Sequence, residues 1–478
     1  MSSITSAIQS TTSRDDAADA RDPASFRDPS GFVFKRDGVV LRQVNPRYRE
    51  EFELLHSTGL YADLTRDRLL LEHRERSLGD ALTPDAYKVL EPEQLQFVTY
   101  PYEWSFGQLR DAALLTLDVQ KRALARGMSL KDASSYNVQL HSGRLRFIDT
   151  LSFERYEEGR PWVAYRQFCQ HFLAPLALMS RTDVRLGQLM RVHIDGVPLD
   201  LTSRLLPWRT ALSVGLGLHV HAHAKAQRKY ASDNTASTPQ RQVRFSRRSF
   251  DGLVASLESA VVGLQFPRGH FEWADYYEAN NNYSVEGMAQ KRELVAKLVA
   301  AQKPDTVWDL GANTGAFSRV AIEAGARLAI AWDIDSACVQ ANYDHVVAKH
   351  ETRLVPLLLD LTNPSPGLGW ANSERASLWA RGPADLALAL GLVHHLAISN
   401  NVPLDRIAAF FASVCRNLVL EWVPKEDSQV RKLLATREDV FDDYVQTGLE
   451  QAFGRYFTID GIVPIGGTRR SLYLMRVR

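Results

Sequence analysis

The sequence is poor in cysteine and carries almost no net charge. Its three cysteines, Cys169, Cys338 and Cys415, lie far apart, so we expect neither a disulfide framework nor a zinc cluster. Lysine and arginine total 57 against 56 aspartate and glutamate, and this formal charge of +1 excludes bulk attraction to nucleic acid. A signal-peptide pattern and any apolar run of about 18 residues are missing. We therefore expect a cytoplasmic protein without a membrane span.

The chain has 478 residues, enough for roughly three domains or two large ones. Residues 1–30 are polar and without apolar periodicity, which predicts a disordered tail. A linker rich in helix breakers occupies 232–239, within a stretch from Lys225 to Arg248 that holds seven basic residues and one acidic residue. We predict a domain over 31–200, a helical and basic connector over 201–265, and a second domain over 266–478.

Beyond about residue 266, short apolar runs alternate with helical stretches. Six such runs are predicted as strands, over 306–310, 328–332, 354–359, 385–390, 418–422 and 472–477. This alternation requires crossover helices, so we expect a mostly parallel, doubly wound α/β sheet. Earlier in the chain, the pattern predicts a hairpin turning at Asp37-Gly38 and helices over 106–125, 163–179 and 205–230.

The most informative segment runs from Val307 to Gly315 and reads Val-Trp-Asp-Leu-Gly-Ala-Asn-Thr-Gly. Glycine is needed where a backbone turns sharply towards a ligand, and the following helix offers unpaired N–H groups. The next two strands end at Asp333 and Asp360. Acidic and glycine-rich strand ends that meet at one sheet edge predict a nucleoside site, whereas Asp335 is expected to cap the following helix.

These residues resemble class I S-adenosylmethionine-dependent methyltransferases, over about 210 residues from 275 to the end. The resemblance implies a Rossmann-like fold with S-adenosyl-L-methionine as cofactor. It places Asp309 at the start of the first motif and implies that Gly311, Asn313 and Gly315 shape the pocket for the methionine part. It further implies that Asp333 binds the ribose and that Asp360 meets the adenine amine. A nicotinamide dehydrogenase is the rival, but its Gly-x-Gly-x-x-Gly spacing is absent because residues 312–314 are Ala, Asn and Thr.

Candidate groups for the methyl acceptor follow the later strands. His395 either acts as a general base or only frames the pocket. Tyr283, Lys291 and Glu421 either bind substrate or make lid contacts, as do Tyr276, Tyr277 and the amide run 280–282. The segment from Glu421 to Asp427 also resembles methyltransferases associated with nodulation, which names no substrate. We expect a small-molecule or conjugated metabolite with an oxygen or nitrogen nucleophile.

The N-terminal domain carries a second pattern, in which Asp132, Asn137 and Asp149 are spaced like a phosphotransferase loop. This resembles protein kinases and aminoglycoside phosphotransferases over about 31–200, which implies an α+β fold. In an active domain the resemblance assigns Asp132 as catalytic base, with Asn137 and Asp149 as ligands of magnesium and ATP. A glycine-rich loop is missing, and no phosphate-binding lysine is assignable, so the same residues alternatively cap local backbone.

Taken together, the sequence predicts a methyltransferase preceded by a kinase-like domain that recognises substrate or regulates. A bifunctional enzyme that phosphorylates and methylates one acceptor is the first alternative. A non-catalytic scaffold that senses the cofactor is the second.

Overall fold

The computed structural model describes residues 21–225, 245–267, 283–435 and 437–478. The predicted tail up to residue 20, the linker 232–239 and the expected substrate contacts at Tyr276, Tyr277 and 280–282 lie outside the described residues.

The N-terminal part opens with a four-stranded antiparallel sheet. Its strands are β1 (Gly31–Arg36), β2 (Val39–Val44), β3 (His73–Arg76) and β4 (Lys88–Pro92), in the order β1-β2-β4-β3. Asp37 and Gly38 both adopt positive φ, as a two-residue hairpin turn requires, so the predicted hairpin is confirmed. Two helices, α1 (Arg49–Ser57) and α2 (Leu60–Arg66), connect β2 to β3.

A long buried helix, α3 (Phe106–Ala125), follows with the predicted bounds. Ser105 and Gln108 form a capping box at its start, which fixes the first turn. Short strands come next: β5 (Met128–Leu130) pairs with β8 (Phe153–Arg155), and β6 (Val138–His141) pairs with β7 (Arg144–Phe147). Asp132, Asn137 and Asp149, which form the phosphotransferase-like pattern, lie in the connections between these strands.

A set of helices completes this half of the chain. The predicted helix over 163–179 is present as α4 (Tyr165–Phe168), a π-helical turn (Cys169–Leu173) and α5 (Ala174–Arg181). The next helices are α6 (Leu189–Val192), α7 (Leu199–Leu205), α8 (Val214–Leu216), which continues into a π-helical turn (Gly217–Ala222), and α9 (Arg247–Val262).

The continuous helix predicted from residue 205 is wrong at its start. The helix α7 ends at Leu205, and Leu206 is extended because it precedes Pro207. A 3-10 turn over Trp208–Leu212 then separates α7 from α8.

The C-terminal part is built on a seven-stranded sheet in the order β11-β10-β9-β12-β13-β15-β14. The strands are β9 (Thr306–Leu310), β10 (Leu328–Asp333), β11 (Leu354–Leu358), β12 (Ala384–Ala389), β13 (Cys415–Trp422), β14 (Phe457–Pro464) and β15 (Ser471–Val477). The helices around it are α10 (Val285–Gln302), α11 (Ala316–Glu323), α12 (Ser336–Lys349), α13 (Leu404–Val414), α14 (Ser428–Leu434) and α15 (Gln446–Gly454). The doubly wound α/β fold is therefore present.

Two strands at one edge depart from the parallel pattern. Strands β9 to β13 are parallel, whereas β15 runs antiparallel to β13 and β14 runs antiparallel to β15. Sequence reasoning missed β14, because Gly461 and Pro464 interrupt an edge strand that buries only alternate side chains.

The N-terminal part packs directly against this sheet. The Gln108 side chain donates to the Pro356 carbonyl of β11 at 3.0 Å, and the Gly107 amide donates to Gln340 of α12 at 2.7 Å. Buried residues of both halves belong to one apolar cluster. Among the described helices, none is long and apolar enough to cross a membrane.

Candidate functional site

The candidate site lies where the chain order of the sheet reverses, between β9 and β12. Ligands of open α/β sheets bind in the crevice that forms at such a switch point, beyond the carboxyl ends of the strands. Gly311 and Gly315 after β9 both have φ of +79°, and Asn313 has φ of 51°. A Cβ atom at Gly315 would lie 2.5 Å from the Asn342 amide nitrogen, so this turn requires glycine.

Two buried carboxylates flank this turn. Asp309, at 2 % exposure, accepts a hydrogen bond from the Ser318 hydroxyl at 2.7 Å. Asp333, at 8 % exposure, accepts from the backbone amides of Asn313 at 2.7 Å and Asp335 at 2.8 Å. Burial raises the pKa of each carboxyl to about 6. The crevice therefore favours a cation beside these two groups.

Replacing Asp309 by asparagine should stabilise the protein at high pH. The folded-state pKa of Asp309 lies above its unfolded value, so its ionisation lowers stability as the pH rises from about 4 through 6. We expect Asp309→Asn to raise the free energy of unfolding by about 3 kcal/mol at pH 8 and by much less at pH 4.5. Urea unfolding at both pH values measures this difference, with exposed Asp305→Asn as control, and a gain independent of pH would contradict it.

The remaining acidic residues of this edge have separate partners. Asp360, just beyond β11, accepts from the amide and hydroxyl of Thr362 at 2.8 and 2.6 Å. Asp335 accepts from the Ala337 amide at 2.7 Å and caps α12, as the sequence predicts.

Two adjacent histidines follow β12 after Gly391. Their ring centroids are 4.1 Å apart. Burial lowers the pKa of His395 to about 4 and that of His394 well below its ordinary value, so both imidazoles are neutral at physiological pH. The His394 Nδ1 atom is buried and has no hydrogen-bond partner among the described residues.

Tyr283, Lys291 and Glu421, the three candidate substrate contacts, meet in one place. The Glu421 carboxylate is fully buried, accepts from Lys291 Nζ at 2.6 Å and also accepts from the Tyr283 hydroxyl. Two further residues that sequence reasoning missed complete the cluster. Arg470 donates to Glu421 at 3.1 Å and to Asp427 at 2.8 and 3.0 Å.

We call these five residues the buried ion cluster. Lys291 is 5 % and Arg470 is 2 % exposed, and the Lys291 ammonium lies 4.7 Å from the Phe317 ring centroid. Burial alone would raise the pKa of Glu421, but Lys291 and Arg470 outweigh it and hold this pKa below its usual value. Each residue of the buried ion cluster is therefore bound by another residue of the cluster.

The N-terminal pattern also converges in space. Asp149 is paired with Arg42 and Ser152 and accepts from the Leu151 amide at 3.0 Å. Asn137 donates to the Ser152 hydroxyl at 3.1 Å, and burial raises the pKa of Asp132. Among the described residues, no group of three His, Cys, Asp or Glu side chains is arranged to hold a metal ion. The expected magnesium and ATP gain no support here.

Comparison with known proteins identifies the family. The chain is 38 % identical over 452 residues to the nodulation protein NoeA of Rhizobium meliloti (strain 1021), covering 94 % of each chain. The chain belongs to the NoeA family. This similarity spans the N-terminal part of the chain as well as the sheet. No family model matches the sequence.

Two solved methyltransferase structures are each similar to less than half of the chain. Magnesium protoporphyrin IX methyltransferase from Synechocystis PCC 6803, with bound SAH, is 17 % identical over 43 % of this chain and 98 % of its own, with a TM-score of 0.29. The N-methyltransferase NodS from Bradyrhizobium japonicum WM9 is 10 % identical over 41 % and 98 %, also at 0.29. With TM-scores this low, the description of the NoeA-family fold rests on its own strand order.

Proposed function

We propose that the protein is an S-adenosylmethionine-dependent methyltransferase. The observation that carries the proposal is the glycine turn 311–315 at the switch point, with Asp333 buried against its backbone. The resemblance of this turn to that of class I methyltransferases indicates that its cofactor is S-adenosylmethionine. The coenzyme of such enzymes is a sulfonium with an ammonium group, and its positive charges suit a crevice that holds Asp309 and Asp333.

The spacing of the glycine turn argues against the rival cofactor. A dinucleotide places its pyrophosphate on a Gly-x-Gly-x-x-Gly turn, whereas residues 312–314 here are Ala, Asn and Thr. Asp333 alone does not distinguish the two cofactors, because a carboxylate at this position binds ribose in either.

The residues have distinct roles in the proposed mechanism. The cofactor supplies an activated methyl group. The chain supplies positioning: Gly311 and Gly315 allow close backbone approach, Asp333 accepts the ribose hydroxyls and Asp360 meets the adenine amine. Neutral His395 is in the protonation state that a base needs, so it either takes the acceptor proton or frames the pocket. Most of the rate gain comes from holding an oxygen or nitrogen nucleophile in line with the methyl group.

The proposal gives the kinase-like N-terminal part a role in substrate recognition or regulation. The segment after Asp360 touches it directly: the Arg375 guanidinium lies 4.0 Å from the Tyr136 ring centroid, and the Ala376 amide donates to the Tyr100 hydroxyl at 2.7 Å. The adenine end of the proposed pocket is thereby connected to the N-terminal loops. The acceptor that we propose is a small-molecule or conjugated metabolite.

A bifunctional kinase and methyltransferase is the alternative that the convergence of Asp132, Asn137 and Asp149 favours. It requires Asp149 to bind a metal nucleotide while its oxygens already contact Arg42 and Ser152. The name of the NoeA relative is compatible with either activity.

Calorimetry with S-adenosylhomocysteine tests the proposed site. We expect the wild-type protein to bind and Asp333→Ala to bind about 10- to 100-fold more weakly, because hydrogen bonds to a carboxylate contribute about 1.5–3 kcal/mol. Asp335→Ser, which keeps a helix cap two residues away, is the control. Absence of wild-type binding, or equal binding by Asp333→Ala, would overturn the proposal. Methyl transfer from labelled donor to cell extract then separates an enzyme from a cofactor-sensing scaffold.

A further inference from the structure

Four exposed apolar side chains project from the helical region remote in sequence from the sheet. Trp208, Leu212, Val214 and Leu218 are 72, 77, 84 and 53 % exposed. We call these four residues the apolar spur. Single exposed apolar residues are ordinary, but four large ones within residues 208–218 indicate an interaction surface.

Partly buried polar contacts hold the spur in place. Thr210, between Trp208 and Leu212, shares a hydrogen bond with His221 Nε2 at 2.8 Å. The other nitrogen of His221 lies 2.8 Å from the Ser203 hydroxyl, which ties the 3-10 turn to α7. These bonds fix the backbone that presents the apolar side chains outward.

Close packing on α9 fixes the next turn of the chain. A Cβ atom at Gly215 would lie 2.6 Å from the Cβ atom of Ala260, so α8 approaches α9 more closely than a larger residue allows. Leu216 and Val220 are buried on this side, whereas Val214 and Leu218 share the opposite, exposed side. The exposure of the spur therefore follows from a defined packing arrangement.

Basic residues are in excess in the segment that carries the spur. No aspartate or glutamate occurs from residue 201 to residue 232, whereas arginine or lysine occurs five times. The Arg209 guanidinium lies 5.6 Å from the Trp208 ring centroid, and the Arg204 side chain is 65 % exposed and lies 3.7 Å from the Asp200 carboxylate. Tryptophan and leucine next to arginine, with basic residues in excess, match the headgroup region of an anionic bilayer.

We propose that the apolar spur docks the protein onto an anionic membrane surface. Trp208 and Leu212 enter the boundary between headgroups and acyl chains, and the arginines contact lipid phosphates. A second copy of the chain fits less well: four side chains offer roughly a few hundred Å², against about 800 Å² per partner in a stable interface. Like charges would also face each other in a symmetric pair. This inference is independent of the methyltransferase proposal.

Sedimentation with lipid vesicles tests the docking surface. The full chain is mixed with vesicles of phosphatidylcholine alone or with 30 mol % phosphatidylglycerol added. We expect binding to the anionic vesicles that weakens in high salt, and a loss of about 10-fold or more in Trp208→Ser/Leu212→Ser, because two apolar anchors are removed. Trp370→Ser is the matched control, since Trp370 is 73 % exposed elsewhere on the chain.

Each outcome is decisive. The proposal is supported if only the spur variant loses binding while its thermal unfolding midpoint matches the wild type. It is overturned if the wild-type chain does not bind anionic vesicles, or if the spur variant and the Trp370 variant bind them equally. A wild-type dimer that the spur substitutions dissociate, measured by light scattering, would also overturn it and assign the surface to a second copy.

Discussion

Replacing Glu421 by glutamine is expected to lower the free energy of unfolding by about 3–5 kcal/mol, the range for removing one partner of a buried ion pair. Glu421 is completely buried and neutralises Lys291 and Arg470, whose side chains are 6 % and 2 % exposed. In the variant, Lys291 loses its carboxylate partner and Arg470 keeps only Asp427. Urea unfolding followed by fluorescence measures the loss.

A double substitution separates charge balance from loss of packing. Lys291→Met together with Glu421→Gln leaves Arg470 paired with Asp427, so we expect the double variant to lose clearly less stability than the two single variants added together. The control is Lys297→Met on the same helix, where the pair with Glu293 is largely exposed and solvent screening leaves it little effect on stability. Strictly additive losses would show that the buried ion cluster does not act as a unit.

This cluster also shapes the proposed acceptor pocket. A Cβ atom at Gly391, the residue that opens the histidine segment, would lie 3.8 Å from the Glu421 carboxylate. After burial, the positive charge of Arg470 is a further cause that lowers the pKa of His395. Burial and Arg470 thus lower the pKa of His395 together, with burial as the larger cause. A role of Glu421 in substrate binding or in a lid contact stays a prediction.

The glycine turn and its acidic neighbours could be predicted from the sequence because their geometry is local. Gly311 and Gly315 mark the turn by residue type, and Asp333 follows a strand whose apolar run is unmistakable. The switch point then follows from chain order, since β9 and β12 must leave a crevice between them. The assignment of ribose and adenine contacts stays a prediction.

The ion-pair partners of the buried carboxylates could not be predicted from the sequence, because they depend on how distant segments are aligned. Arg470 reaches Glu421 across 49 residues since β15 runs antiparallel to β13 and pairs Ser471 with Trp422. Arg42 of β2 reaches Asp149, in the connection between β7 and β8, across 107 residues. Side chains that neutralise a buried carboxylate leave no periodic signal in the sequence.

Replacing Arg381 by methionine is expected to destabilise the contact between the two halves by about 3–5 kcal/mol. Arg381 follows β11 and donates to Glu103 at 2.5 and 2.9 Å, and both side chains are at most 5 % exposed. The substitution keeps much of the apolar contact with Trp332 but leaves Glu103 buried without its cation.

Thermal unfolding monitored by fluorescence measures this effect, and we expect the variant to unfold at lower temperature with a broader transition, as the halves lose cooperativity. Arg416→Met is the matched control, because the Arg416 side chain is 66 % exposed and its pair with Asp385 contributes less than about 1 kcal/mol. Equal midpoints for the two variants would contradict the prediction. If it holds, Arg381 couples the stability of the N-terminal loops to the sheet, which is the physical link that a recognition or regulatory role for the N-terminal part requires.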